Sequence, residues 1–234
     1  MSNGNLLCSF SALPDRSIRI GAAVWLLAIQ FFISQFVVQS AWTTPFSVTE
    51  NYISDLGNTA CGPYPAGSRM YVCSPWHALM NASFIILGLT ILLGAVLIRG
   101  AFRPGRMRAV GLSLVVLAGL GLIAVGLFPE NINIAAHRIG AGVQFISGNV
   151  GLVVLGALTL QANRPAAMAI YSIASGVVGL LATVLLVSEQ YLGAGIGGME
   201  RFAAYPLPLW LMVAGTYFLR HQQQTTFGCA IPGS

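Results

Sequence analysis

Four side chains in this sequence carry the chemistry of acid–base work: Asp55, His77, Glu130 and His137. Histidine exchanges a proton near neutral pH. A carboxylate beside it can orient the ring or act as the base itself. Two histidines and a carboxylate can also hold a zinc ion with one position open, so His77, His137 and Asp55 are a candidate ligand set and zinc a candidate cofactor. Candidate binding residues lie close by in sequence. Asn81 follows His77 by four positions and shares its helical face. Gln144 follows His137 by seven and does the same, and Glu200 and Arg201 stand together further on. Ser54 and Ser74 offer hydroxyl nucleophiles. No His-Glu-x-x-His or Gly-x-Ser-x-Gly element accompanies them. All eleven basic residues are Arg, and the absence of Lys excludes Schiff-base and P-loop chemistry.

Each of these residues has a plainer structural reading. Asp55 can close an Asx-type turn ahead of Gly57. His77 and His137 can bond carbonyls at helix ends. Glu130 can be a solvated loop acid, or a favourable charge at the start of the helix that follows. Glu200 and Arg201 can form a local charge pair that orients the last span.

The elements that position them follow from composition. Of 234 residues, 56% are apolar and 7% charged, against about a quarter charged in an ordinary soluble domain. So few charges cannot coat a water-facing surface. A soluble enzyme, a disordered chain and a nucleic-acid-binding surface are excluded. The fold class is an all-α polytopic membrane helix bundle. A membrane helix needs roughly 20 mostly apolar residues. Six such runs occur, at about 20–40, 76–98, 109–128, 139–160, 167–187 and 204–220. One transmembrane domain therefore covers 20–220, with tails at 1–19 and 221–234 and a folded loop 1 at 41–75. The alternative for the first run is a cleaved signal peptide, although the run is longer than the usual apolar core of such peptides.

Charge orients the bundle. Arg16, Arg19, Arg99, Arg103, Arg106, Arg108, Arg164 and Arg220 fall on one side of the predicted spans, and Arg69, Arg138 and Arg201 on the other. The positive-inside rule then places both termini in the cytoplasm and loops 1, 3 and 5 outside a cell (plasma or inner) membrane. Cys61 and Cys73 share outer loop 1, where an oxidising compartment permits a disulfide. Loop 1 is rich in aromatic residues, which suits the membrane–water interface. Asp55, His77, Glu130, His137, Glu200 and Arg201 all fall toward this outer end. Ionisable groups near membrane depth are costly and are usually kept for a function, so the expectation is one polar pocket at the outer leaflet, with Asp55, His77 and His137 facing a shared cavity.

At Asn51-Tyr-Ile-Ser54-Asp55-Leu-Gly57 the sequence resembles the bacterial and archaeal six-span membrane family catalogued as domain of unknown function 998. Cys73-Ser-Pro-Trp76-His77-Ala-Leu-Met-Asn81, Leu127-Phe-Pro-Glu130, Ala136-His137-Arg138 and Gly198-Met-Glu200-Arg201 extend the resemblance over roughly 20–220. The Ile53-Ser54-Asp55-Leu56-Gly57 element is more distantly similar to the DRAM/Sfk-type membrane proteins, which include factors that remodel the lipid of glycosylphosphatidylinositol anchors. The resemblance implies six spans and an outward loop 1 and supplies no established reaction. Three functions compete: a lipid-modifying hydrolase or acyltransferase at the outer leaflet, a non-enzymatic lipid- or partner-binding scaffold or sensor, and a small-solute transporter. The implied partners are membrane lipids, with no nucleic acid. A transporter would place its polar residues near the bilayer midplane, whereas here they gather at one rim.

Overall fold

The structure, a computed structural model, describes residues 12–65, 70–161 and 166–227. Cys8, Cys229, Arg69 and Arg164 lie outside these. In lipid a spanning segment must satisfy its own backbone, and long apolar runs do so as helices. Among the described residues eight helices form: α1 (Ala12–Leu26), α2 (Ile29–Ser40), α3 (His77–Ile98), α4 (Arg106–Leu127), α5 (Ile134–Gln161), α6 (Ala166–Val187), α7 (Gly195–Ala204) and α8 (Pro206–Phe227). They make six apolar crossings of 22 to 28 residues, because α1 with α2 and α7 with α8 are each one crossing with a bend. At the first bend the backbone tightens to three-residue spacing: Leu27 N–H donates to Val24 O at 2.9 Å and Ala28 N–H to Trp25 O at 3.1 Å. At the second, Pro206 brings no N–H and cannot continue α7.

The sixth crossing starts at Gly195 rather than near 204. Gly195, Gly197 and Gly198 dilute the apolar signal and lower helix propensity, yet α7 forms because loop 1 and α6 pack against it. Glu200 and Arg201 are therefore helical residues, not part of loop 5. His137 and Arg138 likewise belong to α5, which begins at Ile134 rather than near 139.

α3, α4, α5 and α6 pack in sequence, and α1 closes the bundle against α3 and α8. Glycines bring α4 against both neighbours. A Cβ on Gly88 would meet Gly119 O at 2.5 Å, and one on Gly121 would meet Gly140 O at 2.5 Å. Such small-residue contacts let membrane helices approach at backbone distance. Trp25 and Trp210 lie 5.3 Å apart between centroids in the core. Leu89, Leu93, Leu181 and Val184 point outward as an apolar belt. Polar residues within the first crossing find partners across helices. Gln30 Nε2 donates to Ser83 O at 3.1 Å, and Ser83 Oγ donates back to Gln30 Oε1 at 2.9 Å. Tyr205 Oη donates to Gln35 Oε1 at 2.7 Å.

Loop 1 joins α2 to α3. Its far part is a two-stranded antiparallel pair, β1 (Gly62–Pro63) with β2 (Tyr71–Val72). The Cys61–Cys73 disulfide joins the two sides, with Cα atoms 4.2 Å apart. Closing a loop this short stabilises by about 3 kcal/mol. Its near part turns back into the bundle. From Asn51 to Asn58 every residue except the half-buried Tyr52 is buried, and Ser54–Gly57 forms a single 3₁₀ turn.

Candidate functional site

A segment that re-enters the bundle brings backbone N–H and C=O groups with it, and each must find a partner there. Side chains from four elements supply them. Glu200 on α7 accepts the N–H groups of Ile53 and Ser54, and so caps the first turn of the 3₁₀ segment. Arg201 Nη1 donates to Val48 O, Asn51 O and Gly197 O at 2.8–2.9 Å. Asn81 on α3 donates to Gly57 O at 2.9 Å, and Ser74 Oγ to Leu56 O at 2.7 Å. Gly197 makes the approach possible, since a Cβ there would collide with Asn51 O. Glu200 and Arg201 thus each hold a different part of loop 1, and the Arg201 charge also acts on Glu200.

Glu130, in the turn between α4 and α5, is buried, not solvated. Its Oε2 accepts Ser54 Oγ–H at 3.0 Å and its Oε1 accepts Asn58 Nδ2–H at 3.2 Å. The next residue, Asn131, ties down Thr59 through its N–H and its hydroxyl, at 3.1 and 2.9 Å. Asp55 is 1% exposed. Its Oδ2 accepts Tyr52 N–H at 2.9 Å and Asn51 Nδ2–H at 3.2 Å, which is the expected Asx-type turn. The Asp55 and Glu130 carboxyls also hydrogen-bond each other. Two carboxylates in contact cannot both ionise cheaply in a buried place, so the pair holds a proton between them. Burial lifts Glu130 well above the usual carboxylate range and the Asp55 charge lifts it further. Burial also raises Asp55, against the opposing hydrogen bonds from Glu130, Asn51 and Tyr52 N–H. Burial, then the charge of Glu200, raises the Tyr52 phenol. Tyr64 is pushed up to about 12, mainly by burial.

Beneath this cluster a narrow cavity runs into the bundle. Its polar lining is Ser54, His137, Gln144 and Glu200, and Phe31, Phe84, Leu122 and Phe145 are among its apolar walls. The space open to the centre of a water molecule is about 30 Å³, room for about two ordered waters. His137 Nδ1 meets Phe128 O at 2.9 Å. A carbonyl only accepts, so Nδ1 is the donor. Gln144 is 3% exposed and lines the cavity without a hydrogen bond to another described residue. An apolar pocket with a few convergent polar groups is the usual form of a small-molecule site.

The structure corrects part of the predicted set. Asp55 and His77 do not line the cavity. His77 sits at the start of α3 with its Nδ1 donating to Ser74 O at 2.9 Å, the helix-end role. Among the described residues no group of three His, Cys, Asp or Glu side chains is placed to hold a metal ion. Asp55, His77 and His137 are not gathered as one group: each histidine is tied to a carbonyl of its own neighbourhood. Asp55 and Glu130 do meet, and His137, Gln144 and Glu200 share the cavity. Sequence reasoning singles out neither Asn58 nor Asn131. Their one signal is position, Asn58 directly after the Gly57 motif and Asn131 beside Glu130. Ser54 carries no visible base in the sequence, because Glu130 lies 76 residues away.

Six apolar crossings closed around a buried polar segment define an all-α, multi-pass integral membrane protein. Residues 22–217 match the family described as protein of unknown function DUF998, and the chain belongs to that family. No curated protein and no solved structure matches the chain, so the more distant resemblance to DRAM/Sfk-type proteins gains no support.

Proposed function

We infer that this protein is a membrane-embedded enzyme that cleaves or transfers an acyl group of a lipid or lipid-linked molecule at the loop 1 end of the bundle. The observation that carries this reading is the chain Ser54 Oγ–Glu130–Asp55. A hydroxyl stands within hydrogen-bond reach of a carboxylate, at 3.0 Å, and that carboxylate is held by a third group. Nucleophile, base and orienting partner in this order are the signature of covalent catalysis. The shared proton rests on Glu130, the more strongly raised carboxyl of the pair, so as Oγ attacks an acyl carbonyl Glu130 passes that proton to Asp55 and accepts the Ser54 proton in its place. The alcohol that leaves takes the proton back from Glu130, and the acyl group stays on Ser54 as an ester. Water, or a second lipid hydroxyl, then attacks that ester by the same path, giving hydrolysis or transfer. Ser54 faces a cavity whose other polar lining residues are Gln144, His137 and Glu200. We place the protein in the cell membrane with loops 1, 3 and 5 outside, as its arginines direct.

One observation favours a second reading. Glu130, Glu200, Arg201 and Asn81 all bond loop 1 itself, which is what a non-enzymatic binding or scaffold protein with a rigid outer face needs. A serine-directed fluorophosphonate separates the two. The folded protein in lipid nanodiscs should be labelled at Ser54, Ser54→Ala should lose the label, and Glu130→Gln should slow labelling at least tenfold while keeping its thermal unfolding transition. A folded wild-type protein that takes no label at Ser54 overturns the enzyme reading and leaves the scaffold.

A further inference from the structure

The other face of α7 carries a second recess. It is a groove of about 590 Å³ between α6 and the α7–α8 bend, with Tyr171, Ala174, Val178, Arg201, Tyr205 and Leu209 among its lining residues. Tyr171, Ala174 and Val178 are spaced three and four apart and form one stripe of α6. α6 is the crossing least covered by the rest of the protein, and its exposed neighbours Val177, Leu181 and Val184 are all apolar. The groove therefore opens to lipid tails rather than to water.

Among the described residues Arg201 is its only charged lining residue. Arg201 is 8% exposed. Its Nη1 is held by three backbone carbonyls, and the guanidinium lies 5.7 Å from the centroid of the Phe46 ring. These hydrogen-bonding partners are uncharged, and the Glu200 and Asp55 carboxyls act on Arg201 only through space. Glu200, the preceding residue, lines the cavity beneath loop 1 instead. A buried cation with no directly bonded anion is costly, and an anion arriving from the groove would offset that cost. The planar fork of Arg suits a phosphate. Arg201 is six residues from the start of α7, about 9 Å along the axis from the loop 1 end of that crossing. From Val178, near the middle of α6, the stripe continues for about 10 Å to Tyr171, toward the start of that helix.

We propose that this groove binds one anionic membrane lipid, with its phosphate against Arg201 and an acyl chain along Val178, Ala174 and Tyr171. Because Arg201 also holds Val48 O and Asn51 O, the lipid and loop 1 share one side chain, and occupancy stiffens loop 1. The site is separate from the Ser54 cavity, and its test reads binding rather than turnover, so either reading can fail alone.

The probes are phosphatidylglycerol and phosphatidylcholine, added to delipidated protein in a mild detergent. Phosphatidylglycerol should bind at least tenfold more tightly by native mass spectrometry and raise the unfolding temperature. Ala174→Trp fills the groove and should remove that preference while leaving the lipid-free unfolding temperature in place. If that variant fails to fold, a photoreactive phosphatidylglycerol analogue on the wild-type protein decides. Crosslinks concentrated between residues 171 and 178 support the site, and crosslinks spread evenly over the bundle defeat it. Equal binding of the two lipids, or full phosphatidylglycerol binding by a folded Ala174→Trp variant, also overturns the proposal.

Discussion

Glu130 and Glu200 are both buried carboxyls, and their partners give them different work. Glu200 accepts two backbone N–H groups, a fixed role in holding the 3₁₀ turn. Glu130 accepts two side-chain donors and contacts Asp55, so its proton is the more consequential one. The raised Glu130 pKa gives a pH prediction with a definite sign. An acid whose folded pKa lies above its unfolded value keeps its proton in the fold while the unfolded chain has already lost it. Stability from this group is then fully present below about pH 4.3, the unfolded value, and is lost as pH rises through the folded pKa. The unfolding temperature should therefore fall as pH climbs from about 4 through neutrality, and Glu130→Gln should flatten the slope. An unfolding temperature that rises over the same window would contradict the shared-proton pair. Asp55 acts in the same direction, because burial raises it too. Glu130 and Asp55 could be singled out in the sequence as polar residues in a chain with few of them. Their contact could not, since one stands in loop 1 and the other 75 positions later, and only packing brings them together.

At the scale of elements, the decisive contact is loop 1 against α7. Gly197 lets Asn51 O approach the helix, and Gly195 holds a φ of +72° at its start, where a side chain would be strained. Gly197→Val should force loop 1 away from α7, a packing clash of about 1–3 kcal/mol. Hydrogen exchange should find the amides of residues 51–58 protected in the wild type and at least tenfold faster in the variant. Unchanged protection would mean that loop 1 is anchored elsewhere. The sequence marks these glycines as weak helix formers, and so the last crossing reads as starting near 204. The structure begins it at Gly195 because α7 gains from α6 and loop 1 what its glycines lose in propensity. The same tertiary gain explains why the first crossing tolerates Gln30 and Gln35, each satisfied across a helix boundary.

At the scale of the whole molecule, six crossings put both ends of the described chain on one face, opposite loop 1. The Arg asymmetry predicts that this face is cytoplasmic. Single cysteines introduced at positions 103 and 225, in a chain whose other thiols are masked or removed, should be labelled only after the membrane is permeabilised. Labelling of both from outside intact cells would invert the orientation. The sequence by itself determined the class, the number of crossings, the Cys61–Cys73 pairing and the end of the bundle at which polar residues gather. Each of these rests on composition or on local spacing: apolar run length, charge flanking the runs, two cysteines in one loop. Tertiary structure alone decided which polar residues meet. It joined Ser54 to Glu130, set Asp55 against Glu130, turned Glu200 and Arg201 toward different cavities, and sent His77 to a local carbonyl. Such contacts depend on the rotation of each helix about its own axis and on the path of loop 1, and both are fixed by the packing of distant glycines and aromatic rings rather than by any local pattern.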